Sequence, residues 1–214
     1  MNLITLEWIS RNDLTILNSV MAQTQPAFVL ITGASCSGKT TVANWFAKNL
    51  SNSAVISMDN YFLDSNDPSI IPLYNRTYPA FDMPEAYHWD ELENTIRTLK
   101  NGQDAHTPIY AISKGQRATE TNLIKGNKDF YFIEGLYAFK LSDLKIPSFK
   151  IFVDAEPEIR YERRMRRYIK NLYPRISRRS IENVVQRVQL AATDLILPQK
   201  HQADLVLVSN IERS

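Results

Sequence analysis

The sequence predicts an α/β fold in which a parallel β-sheet is covered by helices on both faces. Short apolar runs rich in β-forming residues are typical of buried parallel strands. Five such runs occur along the chain: Ala27–Thr32, Ala54–Ser57, Asp129–Ile133, Phe149–Val153 and Asp204–Val208. Segments with helical spacing alternate with them, and this alternation favours a parallel sheet. The length of 214 residues suits one domain of this kind.

The composition excludes several other classes of protein. Hydrophobic residues make up 44% and charged residues 22%, which are ordinary globular values and exclude wholesale disorder. The single cysteine, Cys36, excludes an internal disulfide and a Cys-rich zinc module. No apolar run approaches the roughly 18 residues of a membrane span, and the first 25 residues lack the pattern of a secretory signal. We therefore expect a cytoplasmic protein with no membrane partner.

The first 25 residues are predicted to be an extension of a main domain that covers residues 26–214. Residues 6–22 have the apolar spacing of an amphipathic helix, and Thr5 is a candidate cap. Packing of this helix against the main domain and a role in a dimer interface are both open interpretations.

The helices and loops of the main domain are predicted in turn. A helix over Thr40–Leu50 follows the first strand, and residues 60–82 form a long loop rich in Asn, Asp, Pro and Tyr. Pro84 opens a second helix, with Asp82 or Met83 near its cap, and Asn101-Gly102 ends it after Lys100. An irregular hairpin or flap is expected over residues 104–126. Pro157 begins a third helix, which Tyr173-Pro174 interrupts and Ser180–Leu190 resumes.

The third helix carries an unusual density of basic residues. Residues 160–179 hold nine Lys and Arg against one acid, a net charge of +8, whereas the rest of the chain carries −6. Arg160, Arg163, Arg164 and Arg167 lie at i, i+3, i+4 and i+7 and therefore share one face. Like charges at these spacings repel one another, and a bound polyphosphate would relieve the repulsion.

The basic helix therefore predicts a lid over a nucleotide, at about residues 160–180. Guanidinium groups match phosphate geometry and stabilise charge during phosphoryl transfer. A plain solvated face, or a patch for RNA or an acidic partner, remains an alternative. Because the rest of the chain is acidic overall, we do not expect a general nucleic-acid partner.

The most informative motif is a glycine-containing turn between the first strand and the first helix. Residues 33–40 read GASCSGKT, which fits the phosphate-binding pattern G-x-x-x-x-G-K-[ST] in its required strand–turn–helix context. Glycines let backbone N–H groups close around phosphates, and the helix N-terminus adds partial positive charge. Lys39 is predicted to reach the terminal phosphates and Thr40 to hold Mg²⁺. The predicted nucleotide-binding residues are Gly33, Ala34, Ser35, Cys36, Ser37, Gly38, Lys39, Thr40 and Thr41.

Two acids follow the second and third predicted strands. Asp59 lies just past Ser57, beside the expected phosphate crevice, where it can accept a hydroxyl proton or hold Mg²⁺ through water. Glu134 ends the third strand and resembles the acidic Mg²⁺ support found beside such loops. A turn cap for Asp59 and a structural acid for Glu134 are the alternative interpretations.

In their order, these motifs resemble the uridine kinase / phosphoribulokinase family of P-loop kinases, with the uridine–cytidine kinases as the nearest branch. The resemblance runs from about Phe28 to Val208. The family's G-x-S-G-S-G-K-T-T resembles Gly33–Thr41, with Cys36 in place of a glycine. Further family motifs resemble residues 58–62, Phe81–Asp90, 108–110 with Arg117, 133–136, Val153–Arg167 and 198–204.

The resemblance implies a kinase that uses ATP or GTP with Mg²⁺. Its implied acceptor is the 5′-hydroxyl of a nucleoside, with uridine or cytidine first. In the family, the acid at Asp59 acts on the sugar hydroxyl, the acid at Asp82 contacts the ribose, and the lid arginines fall at Arg164 and Arg167. The predicted catalytic residues are Lys39, Asp59, Arg164 and Arg167. The predicted acceptor-binding residues are Asp59, Tyr61, Asp82, Tyr110 and Arg117, and the predicted metal ligands are Thr40, Asp59 and Glu134.

The part of the family pattern that reads the base is different in this chain. After Tyr110 the uridine kinases have an acid, an aromatic residue and a histidine, where this sequence has Ala111, Ile112 and Gly115. Another hydroxyl acceptor, such as nicotinamide riboside or a phosphosugar, and a nucleotide-binding regulator without transfer activity therefore stay open. The resemblance also implies a homo-oligomer. For Asp82, Tyr110 and Arg117, a helix cap, a core aromatic residue and a surface base are the respective alternatives.

Overall fold

The computed structural model of the protein describes residue 15, residues 25–169 and residues 178–209. The strands are β1 (Ala27–Thr32), β2 (Ser53–Ser57), β3 (Ala105–Ala111), β4 (Gln116–Ile124), β5 (Phe130–Glu134), β6 (Ser148–Asp154) and β7 (Leu205–Val208). The α-helices are α1 (Lys39–Asn49), α2 (Trp89–Lys100), α3 (Pro157–Arg167) and α4 (Arg178–Ala191). In this part of the chain, β2-β5-β1-β6-β7 form a parallel sheet and β3-β4 an antiparallel pair. The predicted α/β class and its five strands are confirmed.

The strand order brings the ends of three strands to one edge of the sheet. Central β1 pairs with β5 and β6, and β5 pairs with β2. The register places Glu134 opposite both Ile31 of β1 and Ser57 of β2. Because parallel strands share a carboxyl edge, the turn after β1 and the acids after β2 and β5 meet there.

Apolar cores lie on both faces of the sheet. Val29 and Ile31 face α1, where Phe46 stacks on Phe132 with ring centroids 5.6 Å apart. On the opposite face, Phe28 and Leu30 belong to a larger core that includes the apolar side of α2. The alternation of β1 side chains between the two cores explains why the whole strand is buried.

Helix α2 begins at Trp89, so the prediction that Pro84 opens it is wrong. Residues Pro84–Ala86 form a separate 3₁₀ turn, and Tyr87 pairs with Phe62 in an antiparallel bridge. The backbone N–H of His88 donates to the carbonyl oxygen of Tyr61 at 2.8 Å, which keeps the chain extended until α2 starts. Asp82 and Met83 therefore do not cap α2. Its predicted end is confirmed at Asn101, the residue that follows Lys100.

The remaining segments agree with the predicted loops. Residues 60–82 contain short 3₁₀ turns and the bridge residue Phe62 but no α-helix or strand, and β3-β4 form a hairpin whose register shifts between Pro108 and Tyr110. Helix α3 starts at Pro157 as predicted. The predicted helix over residues 6–22 and the break at Tyr173-Pro174 lie outside the described residues, apart from Thr15, which is helical. Among the described helices, none combines the length and apolarity that crossing a bilayer requires.

Candidate active site

The predicted phosphate-binding turn is tightly closed around its own backbone. A Cβ atom on Gly33 would lie 2.1 Å from the carbonyl oxygen of Val153, so this position packs directly against the end of β6. Gly38 has a φ of +107°, which side chains strongly disfavour, and α1 begins at the next residue. The free N–H groups at the start of α1 therefore lie at the turn, as anion binding requires.

Lys39 is held inside this turn. Its side chain is buried, and Nζ donates a hydrogen bond to the carbonyl oxygen of Ala34 at 3.1 Å. Burial lowers the pKa of Lys39, whereas the charges of Glu134 and Asp59 act to raise it. The Lys39 ammonium group is buried, is acted on by the charges of two acids and has one carbonyl partner, so it is well placed to exchange that partner for phosphate oxygens.

Glu134 forms the acidic side of the same crevice. It is buried, and Ser57 Oγ donates to its Oε1 at 2.7 Å, while the Thr40 hydroxyl also hydrogen-bonds to it. Burial and the neighbouring charge of Asp59 raise the pKa of Glu134, and Lys39 opposes this shift. The structure thus brings together the three predicted metal ligands, Thr40, Asp59 and Glu134.

The oxygens of this set fit Mg²⁺, which takes one or two carboxylates and completes its shell with phosphates and water. Within residues 15, 25–169 and 178–209, no group of three or more His, Cys, Asp or Glu side chains forms a metal site by itself. Two carboxylates beside a Thr hydroxyl at a phosphate-binding turn are the donor set expected for a metal that arrives with a nucleotide.

Asp82 is a second acid close enough to Asp59 for their charges to interact. Asp59 lies in the 3₁₀ turn that directly follows β2, and Asp82 ends the 3₁₀ turn Ala80–Asp82. The Tyr137 hydroxyl donates to the carbonyl oxygen of Asp82 at 2.6 Å and so fixes its backbone. Burial raises the pKa of Asp82 and the charge of Asp59 adds to the shift, whereas Arg164 opposes it.

Arg164 connects the phosphate-binding turn to this second acid. It donates to Ser35 Oγ and to the Tyr168 hydroxyl, and one terminal nitrogen lies 4.0 Å from Asp82 Oδ2. Burial acts to lower the pKa of Arg164, but Asp82 and Tyr168 raise it above its usual range. Of the two predicted lid arginines, Arg164 therefore lies in the crevice.

The other arginines on the same helix face have different partners. Arg160 is buried and its Nε donates to the carbonyl oxygen of Ala155 at 3.0 Å. Arg163 donates to the carbonyl oxygens of Cys36 at 3.2 Å and Ser209 at 2.9 Å, so it supports the turn from outside. Arg167 is exposed at the C-terminal end of α3.

The remaining predicted acceptor residues lie between the hairpin and α2. Tyr61 is fully buried and its hydroxyl bonds to Thr95 Oγ1 at 3.1 Å, so it is a core residue; burial raises the pKa of Tyr61 to about 12. The Tyr110 hydroxyl donates to the Leu63 carbonyl oxygen at 3.2 Å. Arg117 pairs with Glu91 at 2.6 Å.

These contacts separate Tyr61, Tyr110 and Arg117 from the acids at the phosphate-binding turn. Arg117 nevertheless keeps two buried nitrogens, Nε and one terminal nitrogen, without a hydrogen-bond partner among the described residues. The structure therefore brings together Lys39, Asp59, Asp82, Glu134 and Arg164, and leaves the other three residues around the hairpin.

One further polar group was not among the predicted site residues. Tyr87 is buried, and its hydroxyl has no hydrogen-bond partner in the described part of the chain. Burial raises the pKa of Tyr87 well above its ordinary value, and the charges of Asp59 and Asp82 raise it further. The sequence alone does not show whether Tyr87 is a core aromatic residue or a site residue, because the motif Phe81–Asp90 contains several aromatic residues.

The comparisons with known proteins agree with this geometry. Residues 28–213 match the model of the phosphoribulokinase / uridine kinase family. Uridine-cytidine kinase B of Dictyostelium discoideum is 33% identical over 199 residues, which cover 89% of this chain and 77% of that protein. The uridine kinase of Schizosaccharomyces pombe is 33% identical over 195 residues, and the match spans 84% of this chain but only 42% of that longer relative.

A solved structure supports the fold independently. Phosphoribulokinase from Rhodobacter spheroides is 20% identical, with a TM-score of 0.60, and the match covers 88% of this chain and 72% of that one. The phosphate-binding turn, the acids at the carboxyl edge of the sheet and the family match over nearly the whole chain lead to one conclusion. The chain belongs to the phosphoribulokinase / uridine kinase family of kinases.

Proposed function

We propose that the protein is an ATP-dependent nucleoside kinase that phosphorylates the 5′-hydroxyl of uridine or cytidine. The observation that carries the proposal is the position of Asp59. It lies directly after β2, close enough to Lys39, Asp82 and Glu134 for its charge to act on all three. The names of the relatives support a pyrimidine nucleoside as the acceptor.

In this reaction the nucleotide phosphates bind in the turn between β1 and α1. Lys39 exchanges its bond to Ala34 for a terminal phosphate oxygen, and Arg164 leaves Ser35 to neutralise the transferring group. Asp59 orients the acceptor hydroxyl and takes its proton as the new oxygen–phosphorus bond forms and the bond to ADP breaks. Catalysis is then mainly positioning and electrostatic stabilisation.

Mg²⁺ belongs to the same proposal. Thr40, Glu134 and Asp59 would hold it, directly or through water, together with the phosphates. When bound, the ion neutralises phosphate charge.

Asp82 binds the sugar of the acceptor in this proposal, and the free nitrogens of Arg117 are available to a more distant part of the ligand. A role in pyrimidine salvage and a homo-oligomeric state are parts of the same proposal and follow from the family resemblance, and a cytoplasmic location belongs to the proposal as well.

A second acceptor class is favoured by one observation. Ala111 ends β3 of the hairpin, and Ile112 and Gly115 lie in its turn, where the uridine kinase pattern has groups that can bind a base. Nicotinamide riboside or a phosphosugar would need no such groups at these positions. This alternative keeps every role given to Lys39, Asp59, Asp82 and Arg164.

An acceptor panel tests the proposal. Purified protein is assayed for ADP release from ATP, and separately for GDP release from GTP, with Mg²⁺ and uridine, cytidine, nicotinamide riboside or ribulose 5-phosphate. We expect release that depends on uridine or cytidine. Turnover of only a non-pyrimidine acceptor would replace the first proposal by the second, and release that needs no acceptor would contradict both.

A further inference from the structure

Tyr87 carries a buried hydroxyl that the fold leaves unused. The residue is 4% exposed, and its hydroxyl has no hydrogen-bond partner among the described residues. Other buried tyrosines have partners: the Tyr131 hydroxyl donates to the carbonyl oxygen of Lys125 at 2.8 Å, and the Tyr137 hydroxyl donates to the carbonyl oxygen of Asp82 at 2.6 Å. Because an unsatisfied buried hydroxyl costs folding free energy, a site that keeps one is expected to have a use for it.

The ring of Tyr87 is fixed, so the direction of its hydroxyl is fixed as well. It packs against Phe62 with centroids 4.6 Å apart, against Trp89 at 5.5 Å and against Tyr137 at 6.2 Å. Its backbone is held by the bridge to Phe62. A phenol that several neighbours hold in place offers a hydrogen bond without losing rotamer freedom when a ligand binds.

Tyr87 lies beside an acid assigned to the acceptor, because its ring packs against Tyr137, whose hydroxyl donates to the carbonyl oxygen of Asp82 at 2.6 Å. The acids that act on Tyr87 electrostatically include Asp59 and Asp82, followed by Glu134. None of these acids is hydrogen-bonded to Tyr87, because its hydroxyl has no partner among the described residues. A small polar group placed among them would meet carboxylate oxygens on one side and the phenol on another.

This combination is chemically selective for a hydroxyl group. A sugar hydroxyl both donates and accepts a hydrogen bond, so a site that recognises it fully needs an acceptor and a donor. The carboxylate of Asp82 can only accept when it is ionised, whereas the phenol of Tyr87 can donate. Neither residue alone satisfies a bound hydroxyl; together they do.

We propose that Tyr87 is a specificity-determining residue that donates a hydrogen bond to the same sugar hydroxyl that Asp82 accepts from. The inference rests on the proposed function, since it concerns the acceptor of that reaction. The inference adds Tyr87 to the acceptor site. Together with Asp82, this residue favours an acceptor that carries a second hydroxyl near the phosphorylated one. Deoxy analogues lacking that hydroxyl are then rejected because the Tyr87 hydroxyl stays without a hydrogen-bond partner and Asp82 loses one.

The test combines a change in the enzyme with a change in the substrate. Values of kcat/KM are measured for wild type and Tyr87→Phe with uridine, 2′-deoxyuridine and 3′-deoxyuridine. The wild type should prefer uridine to at least one deoxy analogue, and Tyr87→Phe should reduce that preference about 5- to 20-fold. The loss should come from a weaker reaction with uridine, chiefly through KM, and not from a general fall in kcat.

Tyr131→Phe provides a matched control. Tyr131 is also fully buried, but its hydroxyl is satisfied by Lys125, and it lies near the opposite end of β5 from Glu134. Tyr131→Phe should leave the preference for uridine unchanged and lower Tm by about 2–4 °C, because it removes a bond that exists. Tyr87→Phe should not lower Tm, because it removes a hydroxyl without a partner.

The outcomes separate this inference from the proposed function. If the enzyme phosphorylates uridine but Tyr87→Phe keeps the wild-type preference for uridine over the deoxy analogues, the inference alone is overturned. The same holds if Tyr87→Phe lowers Tm as much as Tyr131→Phe does and leaves the kinetics unchanged. If only a different acceptor reacts, the same comparison with that acceptor and its deoxy analogue decides the inference while the proposed function fails. If no hydroxyl acceptor reacts with the wild type, both are contradicted.

Discussion

The pair formed by Arg164 and Asp82 gives a prediction whose size follows from the structure. Their charged atoms are 4.0 Å apart, and the side chains are only 16% and 9% exposed. At that distance two unit charges attract by about 4 kcal/mol at an effective dielectric constant of about 20, and the loss of hydration offsets part of this. We expect a net coupling free energy of about 2 kcal/mol between the two side chains.

A double-mutant cycle measures this coupling. The free energy of unfolding in urea is determined at pH 8 for wild type, Arg164→Met, Asp82→Asn and the double variant. Arg164→Met alone should cost about 3–5 kcal/mol, because it leaves a buried carboxylate without its cation, and Asp82→Asn should recover part of that loss. Additivity of the two changes within about 0.5 kcal/mol would refute the reasoning.

The same helix offers a control pair. Arg166 and Glu162 are 3.4 Å apart at i,i+4, but their side chains are 61% and 52% exposed. Their coupling, from Arg166→Met and Glu162→Gln, should be at most about 0.5 kcal/mol. A control coupling as large as that of Arg164 and Asp82 would mean that burial is not the cause.

Two further predictions concern the floor of the crevice. Lys39→Met should lower kcat/KM for ATP about 10²- to 10³-fold while the circular dichroism spectrum is retained, and a loss below tenfold would speak against its role. Glu134→Gln tests the electrostatics. Burial raises the folded-state pKa of Glu134 above its ordinary value of 4.5, so the folded state binds more protons and this group's contribution to stability falls as pH rises above 4.5. The Tm of Glu134→Gln minus that of wild type should therefore be more positive at pH 7 than at pH 4. The variant should also need more Mg²⁺ for half-maximal activity. The exposed control Glu120→Gln should show neither change, and a Tm difference for Glu134→Gln that is equal at both pH values would contradict the assignment.

The sequence was sufficient where local chemistry determines structure. The pattern of residues 33–40 requires glycine at the ends of a phosphate-binding turn, and Gly33 and Gly38 do adopt backbone positions that other residues disfavour. The strands were found because buried parallel strands are apolar throughout. Asp59 and Glu134 could be placed together because both follow strands that end at the same edge.

Tertiary contacts decided what the sequence could not. Arg160, Arg163 and Arg164 share a helix face, but the depth of each side chain depends on neighbours far along the chain, such as Ser209 and Asp82. Helix α2 starts at Trp89 and not at the predicted Pro84, because residues 61–63 pair with residues 86–88.

The tyrosines show the same limit. Tyr61 and Tyr87 both lie in motifs with acids beside aromatic residues, yet one hydroxyl is bonded to Thr95 and the other has no partner among the described residues. Only the packing of α2 and the turn after β2 separates a tyrosine whose hydroxyl is bonded within the core from one whose buried hydroxyl has no partner in the described part of the chain.

The central claim is that the turn at residues 33–40 holds the nucleotide while Asp59 acts on the acceptor hydroxyl. The most direct measurement compares wild type and Asp59→Asn for acceptor-dependent ADP release and, separately, for ATP binding without an acceptor. We expect kcat to fall about 10²- to 10⁴-fold while ATP affinity changes little. An Asp59→Asn enzyme that phosphorylates its acceptor at nearly the wild-type rate would contradict the account.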